Sequence, residues 1–570
     1  MKWIAPTERD VNNQALEQRL WAAADQFRAN SGLTAAQYSQ PILGLIFLRF
    51  AEARFEKRHK ELEAAATSSR RGSQIDDPMA YSAEGVLYLT DTARFPHLLN
   101  LPEDADIGKA INAAMRDIEL HNPSLAGVLP KTYNIFSSSL LKDLLKKVSE
   151  IPVSLEFDAF GRIYEYFLGE FARTEGSKGG EFYTPSPIVR LLVEVLEPYH
   201  GRILDPACGS GGMFVQSARF VSEHKSDPGK ELSIFGVEKT DETGKLARMN
   251  LAIHGLEGDV KHGGEINSYY DDPHSAVGRF DFVLANPPFN VNAVDKERLA
   301  GATGLGKRYP LGLPRTDNAN YLWIQLFYSS LNETGRAGFV MANSASDARS
   351  SEQDIRQKLI EGRVVDVMVA VGPNMFYTVT LPCTLWFLDA SKSADLKMAH
   401  DADEATRRRT AQHTWRQERV LFLDARHIYR QIDRAHRDWT TSQIGFLANV
   451  VRLFRGEELD YTLGGDEAKA KIKELFCHHP TEREVAVGET GPIYRDVLGL
   501  CRAATIDEIV AQQYSLNPGR YVGVAPGEDV SDEDFKERLT ALNEELESLN
   551  LLARELEATI AQNVAEMLEA

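Results

Sequence analysis

The chain has 570 residues with 43% hydrophobic content, enough for two to four domains with real cores. Its 83 acidic and 64 basic residues leave a net charge of −19, which excludes a protein that grips nucleic acid by overall charge. Four cysteines scattered at 208, 383, 477 and 501, and a start lacking a charged-then-apolar leader pattern, exclude a disulfide scaffold and predict a reducing, cytoplasmic setting without membrane insertion. Residues 1–155 read as a helical N-terminal domain. Ala15, Leu16 and Leu20 open an amphipathic run, and Ile42–Phe50 is a buried segment too short to span a bilayer. Residues 156–430 alternate strands and helices, as a parallel sheet requires. In this region the apolar pair Ile203-Leu204 ends in Asp205 and a glycine-rich turn, Pro206-Ala207-Cys208-Gly209-Ser210-Gly211-Gly212, before an apolar helix. Glycine lets backbone approach a ligand closely. Phe214 stands where the dinucleotide fingerprint has its third glycine, so that fingerprint is excluded. Ile234–Glu238 is a second strand ending in an acid, the position from which a carboxylate takes ribose hydroxyls. The two strand ends together fit a nucleoside-bearing cofactor in a doubly wound sheet.

A later strand, Phe280–Leu284, runs into Asn286-Pro287-Pro288-Phe289. Asn286 offers one amide acceptor and one donor. Proline has no N–H, so Pro287 presents a carbonyl acceptor while Pro288 stiffens the loop. Phe289 offers a face for stacking a base. Two acceptors on an exocyclic amine would draw its lone pair towards sp3 character and make it nucleophilic, so the motif suits a flat amine substrate. The loop that follows carries Lys296, Arg298, Lys307, Arg308 and Arg315, a basic cluster where substrate must arrive. It also contains Gly301-Ala-Thr-Gly-Leu-Gly306-Lys307-Arg308, which approaches the phosphate-binding loop pattern. Arg308 replaces the magnesium-binding hydroxyl and no buried strand precedes it, so nucleotide hydrolysis is excluded. Gly338–Met341, Val364–Val371, Thr384–Leu388 and Val420–Leu423 are the later strand candidates, with Gly372–Thr378 a loop between two of them. Residues 431–530 read as a helical C-terminal extension, in which Cys477-His478-His479 lacks a second ligand pair, so no metal site is predicted. Residues 531–570 read as one long helix whose leucines, from Leu539 to Leu556 with Ile560 and Val564, mostly alternate steps of three and four. This coiled-coil-like seam, acidic on its surface, predicts packing on a partner.

The combination of Asp205-Pro-Ala-Cys-Gly-Ser-Gly-Gly, Glu238 and Asn286-Pro-Pro-Phe resembles an S-adenosylmethionine-dependent DNA adenine-N6 methyltransferase. More narrowly, the chain is similar to the modification subunit of type I restriction–modification systems. Gly180–Pro185, Arg248-Met-Asn250-Leu, Asn318–Trp323 and Tyr514–Pro518 point the same way. The resemblance implies a doubly wound, Rossmann-like α/β methyltransferase domain between the helical N-terminal domain and the C-terminal helix. It implies that Asp205, Ala207, Gly209 and Gly211 surround the cofactor's methionine end and that Glu238 holds its ribose. Phe182, Tyr183 and Thr184 would close over it. Asn286 and the Pro287 carbonyl would hold the adenine amine and Phe289 would stack on the ring, which requires base flipping in duplex DNA. Cys208 is then a cofactor-loop residue rather than a nucleophile. One place departs from the family: after the third strand a Gly-Asp pair is expected, and the chain has Gly263-Gly264-Glu265 with an insertion at Ser268–Asp272. Glu265 either reaches the cofactor's adenine or is a solvated loop acid. Partners implied are DNA, a specificity subunit, a restriction subunit, and a second copy of this chain in the complex. Methylation of another planar amine (cytosine N4 or a protein glutamine) and a non-catalytic cofactor-binding scaffold remain alternatives.

Overall fold

A computed structural model of the protein describes residues 1–5, 21, 35–66, 74–102, 104–152, 157–175, 183–292, 294–314, 319–376, 382–394, 404–433, 436–477 and 491–524. Phe182, Arg315, Tyr377, Thr378, His478, His479 and the C-terminal leucine seam lie outside these residues. Contacts divide the chain into a unit spanning Met1–Val522 and a second spanning Gly523–Ala570, almost all of which is outside the described residues.

The larger unit is built on a nine-stranded sheet. Its strands are β2 (Gly201–Asp205), β3 (Leu232–Glu238), β4 (Gly258–His262), β5 (Phe280–Ala285), β6 (Leu331–Ala342), β7 (Val365–Val371), β8 (Cys383–Asp389), β9 (Arg419–Asp424) and β12 (Cys501–Thr505). They lie in the order β12-β9-β7-β8-β6-β5-β2-β3-β4. From β4 to β6 every neighbouring pair is parallel, and β8 inserts antiparallel between β6 and β7. The chain leaves β2 in one direction to β3 and β4, then crosses back to β5 on β2's other side. The crevice outside the carboxyl ends of β2 and β5 is therefore a topological switch point, where open α/β sheets bind ligands.

β7 and β8, buried along their whole length, are mostly apolar because both faces are covered. Asp366 and Asp389 interrupt them, and both carboxylates are fully buried. Asp366 pairs with Arg455 at 2.9 Å, and Asp389 with Arg416 at 2.5 Å. Lys392, also fully buried, lies 3.8 Å from Asp366. The cations come from helices α10 (Glu404–Gln417) and α11 (Thr441–Arg455) and from the turn after β8. This ionic cluster therefore ties the far end of the sheet to its covering helices.

The segment expected to be a helical extension departs from that expectation. It carries α11 and α12 (Gly465–Phe476), and also β11 (Arg437–Asp438), β12 and the last residue of β10 (Ile428–Gln431). β12 closes the edge of the main sheet by pairing antiparallel with β9. β10 pairs with β11 and with β1 (Trp3–Ala5) from the otherwise helical N-terminal region. Cys501-Arg-Ala-Ala-Thr has little intrinsic strand character, so its conformation comes from the ladder with β9 rather than from local propensity.

In the N-terminal region, α1 (Ala35–Ala66) contains the buried stretch Ile42–Leu48. It packs with α2 (Ile107–His121), α3 (Ser138–Ser149) and α4 (Phe157–Glu175) around one core. Leu246, Met249 and Ile253, from helix α7 (Asp241–Ile253) of the sheet region, belong to that same core. The helical region is thus seated directly on the layer that backs β3 and β4.

Candidate active site at the carboxyl edge of the sheet

Asp205 is the last residue of β2 and only 1% exposed. Its Oδ1 accepts the Ala207 N–H at 3.0 Å, which folds the turn back over the strand end. The turn then runs alongside β3, where the Cys208 N–H donates to the Val237 carbonyl at 3.0 Å. Gly209 and Gly211 have φ of 52° and 80°, left-handed values that favour glycine. Gly211 leads into α6 (Gly212–Glu223). Across the turn, Glu238 at the end of β3 accepts the Gly209 N–H at 3.1 Å and the Thr240 N–H at 2.8 Å. The sequence-predicted cofactor residues of the first two strands are thus brought together in one cradle.

Two polar residues that sequence reasoning assigned no role support this cradle. Asn250, buried on α7, donates to the Ser210 carbonyl at 2.9 Å. Ser268 donates to the Pro206 carbonyl at 2.6 Å. The available signal for Asn250 was a polar residue among the buried positions of an amphipathic helix.

Asn286 follows β5 directly. Its Nδ2 donates to Thr184 Oγ1 at 3.0 Å, from the segment just ahead of α5 (Ser186–Leu196). Asn286 Oδ1 is buried and has no hydrogen-bond partner among the described residues. Pro287 is buried, Pro288 exposed and Phe289 half-buried against two core clusters. The loop is then held by a reciprocal amide pair: the Asn290 N–H donates to Asn320 Oδ1 at 2.9 Å, and Asn320 Nδ2 donates to Asn290 Oδ1 at 3.0 Å. Asn290 has a φ of 54°, a left-handed conformation that asparagine tolerates better than most residues. Asn320 opens α8 (Asn320–Ser330) and is 1% exposed, so the pair fixes the loop to a buried helix. The sequence segment around Asn320 was singled out without this role.

Tyr183 lies beside Gly169 of α4, where a Cβ would come within 3.3 Å of the tyrosine hydroxyl. Glu265 is exposed in the turn beyond β4, at the same edge of the sheet, and joins no part of the cradle. Residues 155–530 match the N-6 DNA methylase family, and residues 16–149 match the family of HsdM N-terminal domains.

The chain belongs to the N-6 DNA methylase family.

Within it, the chain is 35% identical to the type I restriction enzyme MjaIX methylase subunit of Methanocaldococcus jannaschii, over 95% of this chain and 90% of that one. It is 32% identical to the HindI methylase subunit of Haemophilus influenzae, over 80% and 92%. A solved type I restriction-modification methyltransferase subunit from Streptococcus thermophilus has the same fold, with a TM-score of 0.66 at 20% identity, covering 90% of this chain and all of that one. This methylase is accordingly a modification subunit of the type I restriction–modification kind.

The electrostatics of the methylase site follow from burial. Burial pushes the Asp205 carboxyl well above the usual range, against the Ala207 hydrogen bond, and the neighbouring Glu238 charge raises it further. Burial also raises Glu238, offset by the N–H groups that it accepts. Two desolvated carboxyls facing one glycine turn suit a ligand that brings a cation and hydroxyl donors, so the residues fit S-adenosylmethionine. The Cys208 thiol is raised well above its ordinary value by burial and by both carboxylates, the reverse of what a nucleophile needs. Among the described residues no side-chain group could hold a metal ion, and no helix is long and apolar enough to cross a membrane.

Proposed function

We propose that this modification subunit transfers a methyl group from S-adenosylmethionine to the exocyclic N6 of adenine in duplex DNA, with the target base flipped out of the helix. The observation that carries the reading is Asn286. Its amide nitrogen donates to Thr184, which leaves a buried Oδ1 without a hydrogen-bond partner among the described residues, one residue ahead of Pro287. An unsatisfied buried acceptor costs roughly 1–3 kcal/mol, so a substrate N–H is its natural partner.

The residues divide the work by strand end. Asp205, Ala207 and the turn at Gly209 and Gly211 bind the methionine end of the cofactor, and Glu238 takes its ribose hydroxyls. Phe182, Tyr183 and Thr184 close over it. Glu265, in the turn beyond β4, reaches the cofactor's adenine. When bound, S-adenosylmethionine supplies an activated methyl on a positively charged sulfur. Asn286 Oδ1 and the Pro287 carbonyl accept the two amine N–H groups and pull the nitrogen towards a nucleophilic geometry. Pro288 stiffens the loop, and Phe289 stacks on the ring. Positioning and electrostatics supply the rate, without a covalent enzyme intermediate.

The acidic balance of the chain favours a partner that provides most of the DNA grip and the sequence reading. A specificity subunit fills that role, a restriction subunit adds cleavage, and two copies of this chain serve one complex in the cytoplasm. The test is methyl transfer from labelled S-adenosylmethionine to unmethylated DNA, by the chain alone and with its specificity subunit. Label on adenine N6 in the complex, lost in Asn286→Ala, is the expected result. Label on cytosine, or none despite cofactor binding, would overturn it.

A further inference from the structure

The glycine-rich loop that the nucleotide-hydrolysis reading leaves unused has a specific construction. Residues 300–309 form a closed finger: the Gly304 N–H donates to the Tyr309 carbonyl at 3.1 Å, and the Tyr309 N–H to the Ala302 carbonyl at 3.0 Å. Inside it, Lys307 Nζ donates to the Gly301 carbonyl at 2.9 Å. The base is anchored to the active site. Arg308 donates to the Ser268 carbonyl at 2.6 Å, and Ser268 in turn holds the Pro206 carbonyl of the cofactor turn. Tyr309, fully buried, donates to the Tyr269 carbonyl at 2.5 Å. The tip is Gly304-Leu305-Gly306. Both glycines have positive φ, 121° and 71°, and a Cβ on either would meet nothing within 4 Å. Leu305 between them is 97% exposed.

A leucine held clear of the protein on a narrow backbone gains nothing from its own fold. Four cations lie near it in sequence: Lys307 and Arg308 follow it, and Lys296 and Arg298, alternating with Asp295 and Glu297, precede it, with Arg298 stacked 3.9 Å over Tyr270. An apolar side chain on a slim finger with cationic flanks is complementary to a base step beneath a phosphate backbone, where leucine wedges unstack pairs. We propose that Leu305 is a positioning residue that enters the DNA stack and fills the space left by the flipped adenine. This rests on the base-flipping reading above.

The test uses the full chain assembled with its specificity subunit, and duplexes carrying 2-aminopurine or adenine at the target. Leu305→Ala should lose most of the 2-aminopurine fluorescence rise and slow methylation on the order of tenfold, since opening a paired base costs a few kcal/mol. An abasic site opposite the target, which removes that cost, should restore the rate, and Leu305→Met should stay near wild type. An unchanged fluorescence rise in Leu305→Ala, an equal slowing on both duplexes, or loss of the specificity subunit from the variant complex would each overturn the wedge. If the unmodified complex transfers no methyl to adenine on either duplex, the underlying methylase reading fails instead, and the wedge falls with it.

Discussion

Asp205→Asn should change stability and cofactor binding in opposite directions. Asp205 is 1% exposed, accepts a hydrogen bond from Ala207, and faces the Glu238 carboxylate with no cation paired to it among the described residues. Burial raises its pKa in the folded state, so the folded protein prefers the neutral form. The sign follows: the favourable contribution of the protonated group is complete below its unfolded pKa and is lost as pH rises through the folded value. Raising the pH above the unfolded value therefore makes Asp205 progressively less favourable to folding. Asparagine keeps an acceptor for the Ala207 N–H and removes the charge, which should recover roughly 1–3 kcal/mol in the cofactor-free protein. Wild type should in turn gain about 2.7 kcal/mol from S-adenosylmethionine at 100 times its Kd. Asp205→Asn should lose that increment, because asparagine leaves the cofactor's ammonium without its countercharge. Urea unfolding with and without cofactor, at pH 7.5 and again at acid pH, measures both quantities. A cofactor-free Asp205→Asn protein that is less stable than wild type at pH 7.5, or one that keeps the full cofactor increment, would refute the reasoning.

Three further outcomes follow from the geometry. Asn286→Ala should bind S-adenosylmethionine normally yet lose on the order of 10²–10³ in kcat, in single-turnover transfer to DNA, because a preorganised acceptor is removed. Asn320→Ala should lower stability by roughly 1–3 kcal/mol and also reduce kcat, because the buried amide pair with Asn290 holds the substrate loop; calorimetry and transfer assays together separate it from a purely structural change. Asp366→Asn should cost about 3–5 kcal/mol in denaturant unfolding, because Arg455, Arg416 and Lys392 would lose the buried carboxylate that all three face, while the cofactor Kd should not move.

The site was legible where chemistry sits at the end of an apolar strand. Asp205, Glu238 and Asn286 each close a run whose burial in a parallel sheet makes it a continuous hydrophobic word, and the structure places β2, β3 and β5 there. β7, β8 and β9 were readable for the same reason, within a residue at each end. What escaped depends on partners far along the chain. Asn320 lies 30 residues from Asn290, and Arg455 lies 89 residues from Asp366, so no local pattern announces either pairing. β12 was misread as helix because Cys501-Arg-Ala-Ala-Thr is shaped by β9, and β6 runs from Leu331 because its polar first half is carried by the ladder rather than by hydrophobicity. Glu265 lies in the turn beyond β4, exposed, although Gly263 ahead of it donates to the Glu238 carbonyl at 3.2 Å.

The pairing of β2 with β5 sets Ile203 opposite Phe282 and Leu204 opposite Val283. Continuing that register puts Asp205 level with Leu284, so Asn286 stands two residues further along the neighbouring strand. The spacing is about 4.8 Å across and about 6.6 Å along the sheet. Donor and acceptor sites are therefore graduated on one shared ruler, whose divisions are peptide units. Inserting or deleting a single residue in β5 would move the amine pocket by about 3.3 Å and turn its side chain to the opposite face. Changes in length are consequently tolerable in the connections that enter and leave these two strands, whereas within the strands composition can change but the residue count cannot.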